Sequence, residues 1–468
     1  MKKIALIIAI IAGKLVSCLS RIVGTGGTSL PGKIALKLYP QILNHLSANI
    51  SEEIFVVTGT NGKTTTTNML AGILKQKGYT FVHNRAGANM ITGITTAFIR
   101  ATNWTGKRQI DYALLETDEA NVPLLLQQLH PRIVLITNFF SDQLDRYGEL
   151  ETIINLIKDA VRDTDIELVL NADDPLVTHF KNDTGLHCWY YGFDDTKYDR
   201  VLSEEGREGR FCVFCGQELY YQRFHYAQLG KFSCPECGNK NPERNFTAYS
   251  LNLTPKIEMK VNDIEISSPY QGFYNAYNIL AAVSLAKLAG IEDEIIQKAI
   301  AHLKPRAGRM EQFNIDNRIV TLILVKNSTG LNQALSAINT EPGRKTLFLA
   351  LNDNVADGRD ISWIWDADIE QMTNLNSNLE AIVCSGLRSG DMALRFKYAD
   401  APVDLIYIED ELQSGVKRAL SMATDRAYLL STYTALFVCR DILLKLQQES
   451  VASTDRFGEK QNSSESQG

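Results

Sequence analysis

Cysteine and histidine are both scarce in this chain. Eight cysteines in 468 residues are too few for a disulfide scaffold. Four of them sit in CxxC pairs, a spacing that in a reducing compartment indicates metal. There are seven histidines, and none lies beyond His302. Basic residues are not in excess: the net charge of −6 argues against nucleic acid as a main partner, because phosphate backbones call for basic surface. No internal repeat is visible. What remains, 45% hydrophobic and 22% charged residues, is the make-up of a soluble globular protein, and the length implies two to four domains.

The N-terminal stretch "MKKIALIIAIIAGKLVSCLSRIV" begins like a signal peptide, and Leu15-Val16-Ser17-Cys18 matches a lipoprotein cleavage box. Lys14 interrupts the apolar run, however. The unbroken part, Ile4 to Ala12, is far shorter than the ~20 residues of a spanning helix. The reading is a helix docked on the protein or lying on a membrane surface.

Residues 1–50 read as an N-terminal helical segment broken by "GTGGTSLPG". From Glu53 short apolar strands alternate with helices: "EIFVVTG", the helix "TTTTNMLAGILKQKG", then "YALLETD", "PRIVLITNFF" and "ELVLNADDP". This alternation implies a parallel sheet with helices on both faces, an α/β fold. Residues 203–245 break the rhythm with cysteines and aromatics and read as an insertion. "AYNILAAVSLAKLAG" reads as an amphipathic helix. A second α/β domain, residues 312–449, carries the strands "IVTLILV", "KTLFLAL", "EAIVCSG", "VDLIYIE" and "AYLLST". Residues 450–468 are polar and are expected to be disordered.

The segment "VVTGTNGKTTTT" runs from strand into helix. Gly59 and Gly62 let the backbone turn its N–H groups toward a phosphate, with Asn61 between them. Lys63 supplies positive charge, the Thr64 hydroxyl can ligate Mg²⁺, and the helix N-terminus around Thr65 adds a favourable dipole. Only two residues separate the glycines, where the common phosphate loop has four. Strand, Gly-Lys-Thr and helix in this order point to nucleotide binding, and ATP places the chain in the cytoplasm.

"GTNGKTT" resembles the ATP loop of the Mur ligases and their folate-ligase relatives. Other segments agree in order over residues 51–311, which read as a Mur ligase-type ATP-binding domain. Glu116 in "LLETDEA" matches a Mg²⁺-ligating glutamate. "TNFFSDQLDRYG" is similar to the family's TN…DHLD…G segment, and "NADDP" is shared. Asn275 and Asn278 in "YNAYNILAA" resemble its adenine-side asparagines, and Arg309 in "GRME" its arginine toward the terminal phosphate. There are departures. Gln143 replaces the histidine of DHLD. Lys158 lies where a carbamylated lysine could fall, but reads more simply as a solvated helix residue. "LVKNSTGLNQ" stands in place of the Asp-Tyr-Ala-His stretch that receives an incoming amino acid, which suggests a different nucleophile.

In the insertion, "FCVFCGQ" and "FSCPECGN" supply Cys212, Cys215, Cys234 and Cys237. Two CxxC knuckles aim four thiolates at one point, the donor set of a structural Zn²⁺ with no open position. His225, between the knuckles, reads as a packed aromatic. The zinc ribbon, followed by "NDNVADGRDISWIWDAD", is similar to the MurT family, synthetase subunits of lipid II isoglutaminyl synthase. The resemblance implies a Mur ligase-type central domain with an inserted four-cysteine zinc ribbon and a C-terminal Rossmann-like α/β domain. It also implies ATP-driven activation of the D-glutamate α-carboxyl in the lipid II stem, amidation to D-isoglutamine in peptidoglycan synthesis, and a heterodimer with a GatD-type glutaminase. A lipid-linked substrate leaves contact with the inner face of the membrane open.

A glutaminase needs a nucleophilic cysteine paired with histidine. Outside the knuckles remain Cys18, Cys188, Cys384 and Cys439. Cys384 in "IVCSGLR" ends a strand near glycine, but no histidine follows it, so the glutaminase is expected on another polypeptide. By the resemblance, Asp360 in "DGRDISW" completes the partner's triad, a carboxylate that orients a catalytic histidine. Asp353 and Asp357 are expected to shape the loop by turn hydrogen bonds, and Trp363 and Trp365 to anchor docking. Two rivals are a self-sufficient Mur or folylpolyglutamate-type ligase adding an amino acid, and a non-catalytic ATP-binding scaffold.

Overall fold

The computed structural model describes residues 2–22, 27–84, 88–140, 150–201, 208–304, 308–373 and 378–465. They fall into two compact units that divide between Leu303 and Lys304.

The first unit is built on a nine-stranded sheet. Its strands are β1 (Ile50–Thr58), β2 (Phe81–His83), β3 (Ile110–Glu116), β4 (Ile133–Ile136), β5 (Glu167–Asn171), β6 (Cys188–Phe193), β9 (Phe246–Asn252), β10 (Ile257–Val261) and β11 (Ile264–Ser268), in the order β11-β10-β9-β6-β5-β4-β1-β3-β2. All neighbours from β2 to β9 pair in parallel; β10 and β11 are antiparallel at one edge. The central strands are nearly continuous apolar runs because both their faces are covered. Phe55, Val57, Leu114 and Leu135 point to one face; Val56, Ala113, Leu115, Val134 and Ile136 point to the other.

The first face packs on helix α4 (Lys63–Lys77) and on the helix Phe273–Leu288. Thirteen of the sixteen residues in Phe273–Leu288 are buried, so this helix is enclosed rather than amphipathic. Its alanines and serine let neighbours approach where an amphipathic helix would expose a polar face. The second face packs on α1 (Lys2–Ile22), α2 (Leu30–Leu38), α3 (Ile42–Ser47) and α5 (Ile91–Ala101). The N-terminal helices thus share a core with the sheet: Ala9, Ile10, Ala35, Ile42 and Leu43 are fully buried there.

The insertion leaves the sheet after β6 and returns at β9, the parallel neighbour of β6. It carries a hairpin, β7 (Tyr220–Tyr226) and β8 (Leu229–Ser233). Asp173, fully buried, ties the hairpin to the sheet. Its backbone oxygen accepts from Gly230 N (2.9 Å). Its carboxylate accepts from Arg244 Nη2 (2.8 Å), Tyr277 Oη (2.8 Å) and Phe193 N (2.7 Å). His225 packs among Phe193, Phe273 and Tyr277 and pairs through Nδ1 with Asp199 (2.8 Å). It is therefore a packed aromatic, and also a hydrogen-bonded one.

The second unit holds a six-stranded sheet: β12 (Arg309–Ile315), β13 (Arg318–Leu324), β14 (Lys345–Ala350), β15 (Leu379–Ser385), β16 (Ile406–Glu409) and β17 (Arg426–Ser431), ordered β12-β13-β17-β14-β15-β16. Only β12 is antiparallel. Helices cover both faces. The last helix, Tyr433–Glu465, runs past Glu449, where the sequence pattern predicts a disordered tail. No proline interrupts residues 450–465, so the backbone can continue helical beyond its last core contacts.

Removing the Asp173 carboxylate leaves the buried Tyr277 hydroxyl and the Phe193 N–H without their acceptor and leaves Arg244 with Asp194 alone, so Asp173→Ala is expected to cost about 3–5 kcal/mol. Urea unfolding of the two proteins measures the difference; a loss well under ~1 kcal/mol would show the network to be dispensable.

Candidate active site and cysteine cluster

The loop between β1 and α4 is held by neighbours on both sides. Gly59 and Gly62 have φ of +112° and +89°. Gly62 also has no room for a side chain, because a Cβ there would overlap Asn278 Oδ1. On the opposite side Asn138 grips the loop. Its backbone oxygen accepts from Thr60 N (2.9 Å), its Oδ1 accepts from Asn61 N (3.0 Å), and its Nδ2 donates to Asn61 O (3.3 Å). The Thr60 hydroxyl and Phe140 exchange two further bonds, of 3.2 and 3.0 Å. Asn278 Nδ2 donates to Asn275 Oδ1 (3.2 Å), and Asn275 Nδ2 donates to Gln271 O (2.7 Å). The two asparagines are thus brought against the loop, with Thr65 and Thr66 buried in the first turn of α4.

Lys63 is buried. Its ammonium donates to the Gly59 and Thr60 carbonyls and to Glu119 Oε1, the last at 3.0 Å. Burial lowers its proton affinity, but Glu119, Glu116 and Asp118 outweigh that and the net direction is upward. The lysine therefore keeps its charge. The Thr64 hydroxyl donates to Glu116 Oε1 at 2.8 Å, so the two residues expected to face Mg²⁺ adjoin each other. Glu116 is itself positioned by Asn84, which accepts from Glu116 N (2.9 Å) and donates to Glu116 O (2.7 Å). Among the described residues Glu116, Asp118 and Glu119 surround a single lysine, so their summed charge is negative. A polyanionic phosphate approaches such a site favourably only with a divalent cation.

Sequence reasoning missed Glu119, Asn138 and Asn84. Glu119 lies in "ETDEA" and Asn138 in "TNFF", segments already singled out, so the signal was present without a role. Gln143 and the rest of 141–149 lie outside the described residues. Lys158 is not solvated: its Nζ pairs with Asp183 Oδ2 at 2.6 Å and its side chain is largely buried. The neighbouring His179 is held near pKa 4 by burial and by Lys158. Arg309 opens β12 and belongs to the second unit.

Four sulfurs converge in the insertion. Cys212, Cys215, Cys234 and Cys237 have their Sγ atoms within 4.8 Å of one another, with pairs at 3.6 Å (Cys212–Cys237) and 3.5 Å (Cys215–Cys234). Sulfurs bound tetrahedrally to zinc at ~2.3 Å lie ~3.8 Å apart, so the donor set fits that ion. The two knuckles match: Gly216 N donates to Cys212 O (2.9 Å) and Gly238 N to Cys234 O (3.1 Å).

The other buried thiols are poor nucleophiles. Burial raises Cys384 to about 12, and Cys188 and Cys439 each to about 11. The second unit contains no histidine. "LVKNSTGLNQ" ends β13 and starts a helix, Ser328–Thr340, whose first turn Asn327 caps by accepting from Gly330 N (2.8 Å).

The acidic stretch 351–368 lies in the second unit, and its aspartates have separate tasks. Asp357 is buried and accepts from Thr434 N (2.7 Å) and Thr434 Oγ1 (2.6 Å). Its carboxylate thus serves the start of the last helix, because helix N-termini hold unpaired N–H groups. Asp353 pairs with Arg388 (3.5 Å), and Asp368 N donates to Asn332 (2.7 Å). Asp360 is partly exposed and accepts from Ser362 N through Oδ1 (2.8 Å). Trp363 packs on the core. Trp365 is half exposed, edge-on to the exposed Tyr398 (5.7 Å) and beneath the Arg395 guanidinium (5.6 Å).

Gly62→Ala adds a Cβ where φ is positive and Asn278 stands in the way. ATP affinity is expected to fall at least tenfold by calorimetry while the second unit's unfolding transition stays in place. Unchanged affinity would mean that the loop does not hold phosphate.

The Mur ligase middle domain family matches residues 57–286, and the MurT ligase C-terminal family matches residues 324–436. The chain is 37% identical over 411 residues to the lipid II isoglutaminyl synthase (glutamine-hydrolyzing) subunit MurT of Staphylococcus aureus strain COL, covering 87% of this chain and 91% of that one. It is 38% identical over 425 residues to the subunit of the same name from Streptococcus pneumoniae strain R6, covering 90% and 93%. In fold it is similar to a pseudomurein peptide ligase type C from Methanothermus fervidus (TM-score 0.66, 23% identity, 85% of this chain and 79% of that one). It is also similar to MurF ligase from Thermotoga maritima in complex with ADP (TM-score 0.61, 15% identity, 90% and 85%). A Mur ligase-like nucleotide loop, a four-cysteine insertion and a matching C-terminal domain on one polypeptide place this chain in the MurT family.

Proposed function

We propose that this chain is the synthetase subunit of a glutamine-dependent amidotransferase acting on lipid II. A carboxylate oxygen of the stem-peptide D-glutamate, at its α-carboxyl, attacks the γ-phosphorus of ATP, and ADP leaves. Ammonia then attacks the acyl carbon of the resulting acyl phosphate. Inorganic phosphate departs with its bonding electrons, the nitrogen loses a proton, and D-isoglutamine remains. The loop N–H groups of Gly62 to Thr65 hold the nucleotide phosphates, and Lys63 leaves Glu119 to offset charge on the transferring group. Thr64 and Glu116 hold Mg²⁺, which supplies Lewis-acid stabilisation of the phosphoryl oxygens. Asn275 and Asn278 face the adenine side.

The observation that carries this reading is a mismatch within the chain. It has a complete phosphate loop with a charged lysine, yet its buried thiols are held protonated and its second unit lacks histidine. Such a polypeptide can energise a carboxyl group but depends on another subunit for ammonia. We assign that role to a GatD-type glutaminase docking on the second unit as a heterodimer, near the exposed Trp365 and Tyr398. Asp360 then orients the partner's catalytic histidine, using the carboxylate oxygen that Ser362 N does not occupy. Work on a substrate activated with ATP takes place in the cytoplasm. The four cysteines hold a structural Zn²⁺ that secures the insertion.

Asp360→Ala and Asp360→Asn are expected to abolish glutamine-dependent amidation of lipid II by the complex while ATP binding survives and added ammonia restores product. Undiminished glutamine-dependent amidation in both variants would remove Asp360 from the triad. For the cysteine cluster, metal analysis of the purified chain should find close to one zinc per chain. Cys234→Ser should lose it and expose the insertion to protease; an absence of zinc in the unsubstituted protein refutes the assignment.

A further inference from the structure

The outer side of α1 takes no part in the core or in the site. Ile4, Ile8, Ile11, Leu15, Leu19 and Ile22 are all exposed, Ile4 by 64%, Leu19 by 60% and Ile22 by 76%. Their spacing of three or four residues puts them in one stripe along the helix. A stripe of large aliphatics of this length is unusual on a surface that meets only water. By length and composition α1 could cross a membrane. Its inner side prevents that. Gly13 fits so tightly on α5 that a Cβ would come within 2.9 Å of Ile99 Cδ1. Arg100 Nε donates to Ser17 Oγ (2.8 Å), and Lys14 Nζ donates to Thr102 O (2.7 Å). The helix is bound along its length to the first unit and can meet a bilayer only side-on.

Charge identifies what meets it. All 54 acidic residues of the chain lie beyond Ser51, whereas the first 51 residues carry Lys2, Lys3, Lys14, Arg21, Lys33 and Lys37. On α2 the exposed Lys33 and Lys37 alternate with the exposed Leu30 and Leu38. Beside α1 the exposed Trp104 lies 5.5 Å from the Lys14 ammonium, in a loop that also exposes Lys107 and Arg108. Aliphatics flanked by lysine, arginine and an exposed indole suit the headgroup layer of a membrane. A second copy of the same surface would bring like charges together, which disfavours self-association. An anionic lipid surface neutralises them.

We propose that α1, with the exposed residues of α2 and the Trp104 loop, binds the surface of an anionic phospholipid bilayer with the helix axis parallel to the surface. This rests on the N-terminal helices and the Trp104 loop and does not depend on the reaction catalysed.

Flotation of the full chain with vesicles tests it. Vesicles of equal parts phosphatidylglycerol and phosphatidylcholine are expected to carry the protein at least tenfold more than phosphatidylcholine alone, and added salt should weaken that binding. The double variant Ile8→Glu, Leu15→Glu changes only exposed positions and should lose binding at least tenfold. Lys33→Glu with Lys37→Glu should selectively reduce the preference for phosphatidylglycerol, and provides a second test if the first variant misfolds. Failure of the unsubstituted chain to float with the anionic vesicles overturns the proposal. So does a stable homodimer in solution that the Ile8, Leu15 variant dissociates, because the occupant is then a second copy.

Discussion

A phosphate is held by several N–H groups only if the backbone turns in a way most side chains forbid. Here the turn is left-handed at Gly62, where Asn278 occupies the space a Cβ would need. Much of the first unit follows from keeping that loop in place. β1 delivers it from inside the sheet, between β3 and β4. Asn138, at the end of β4, bonds to it on one side. The helix Phe273–Leu288 brings Asn278 to it on the other, which explains why a helix so fully buried carries two asparagines near its start.

Lys63 sits in a cage of carbonyls and a carboxylate, and the Glu119 contact helps to keep it charged. The same carboxylates that keep the ammonium protonated outnumber it in charge, so cation and nucleotide are electrostatically linked. The cysteines divide in the opposite way. Four converge where a metal fits, and three others are buried where the thiolate is disfavoured. In the second unit burial holds Cys384 and Cys439 as thiols, and the described aspartates of the acidic segment bond mostly within that unit.

Hydrophobic patterning made most parallel strands legible, because a strand covered on both faces is apolar throughout. β2, β6, β9 and the edge strands β10, β11 and β12 were not, being short, aromatic or alternating. The enclosed helix was misjudged for a related reason: a periodic pattern records which residues are apolar, not how many neighbours surround them. Lys158 was read as solvated because a lysine on a helix usually is; Asp183, distant in sequence, supplies the partner that lets it be buried. Asn138 and Asn84 act by hydrogen bonding to backbone of other segments, and the sequence does not show which backbone groups they meet.

By itself the sequence determined the groups that chemistry requires at fixed local spacing: the Gly-Lys-Thr loop, the two CxxC knuckles and the aliphatic repeat of α1. These depend on neighbours within a few residues, and so one stretch of chain suffices to specify them. Only the tertiary structure decided which partner each buried polar group meets. It set Glu119 on Lys63, Asn278 against Gly62, Asp173 under the hairpin and Asp357 at the start of a distant helix. A buried charge or amide must be paired, but the pairing is chosen by how strands and helices fall together in space.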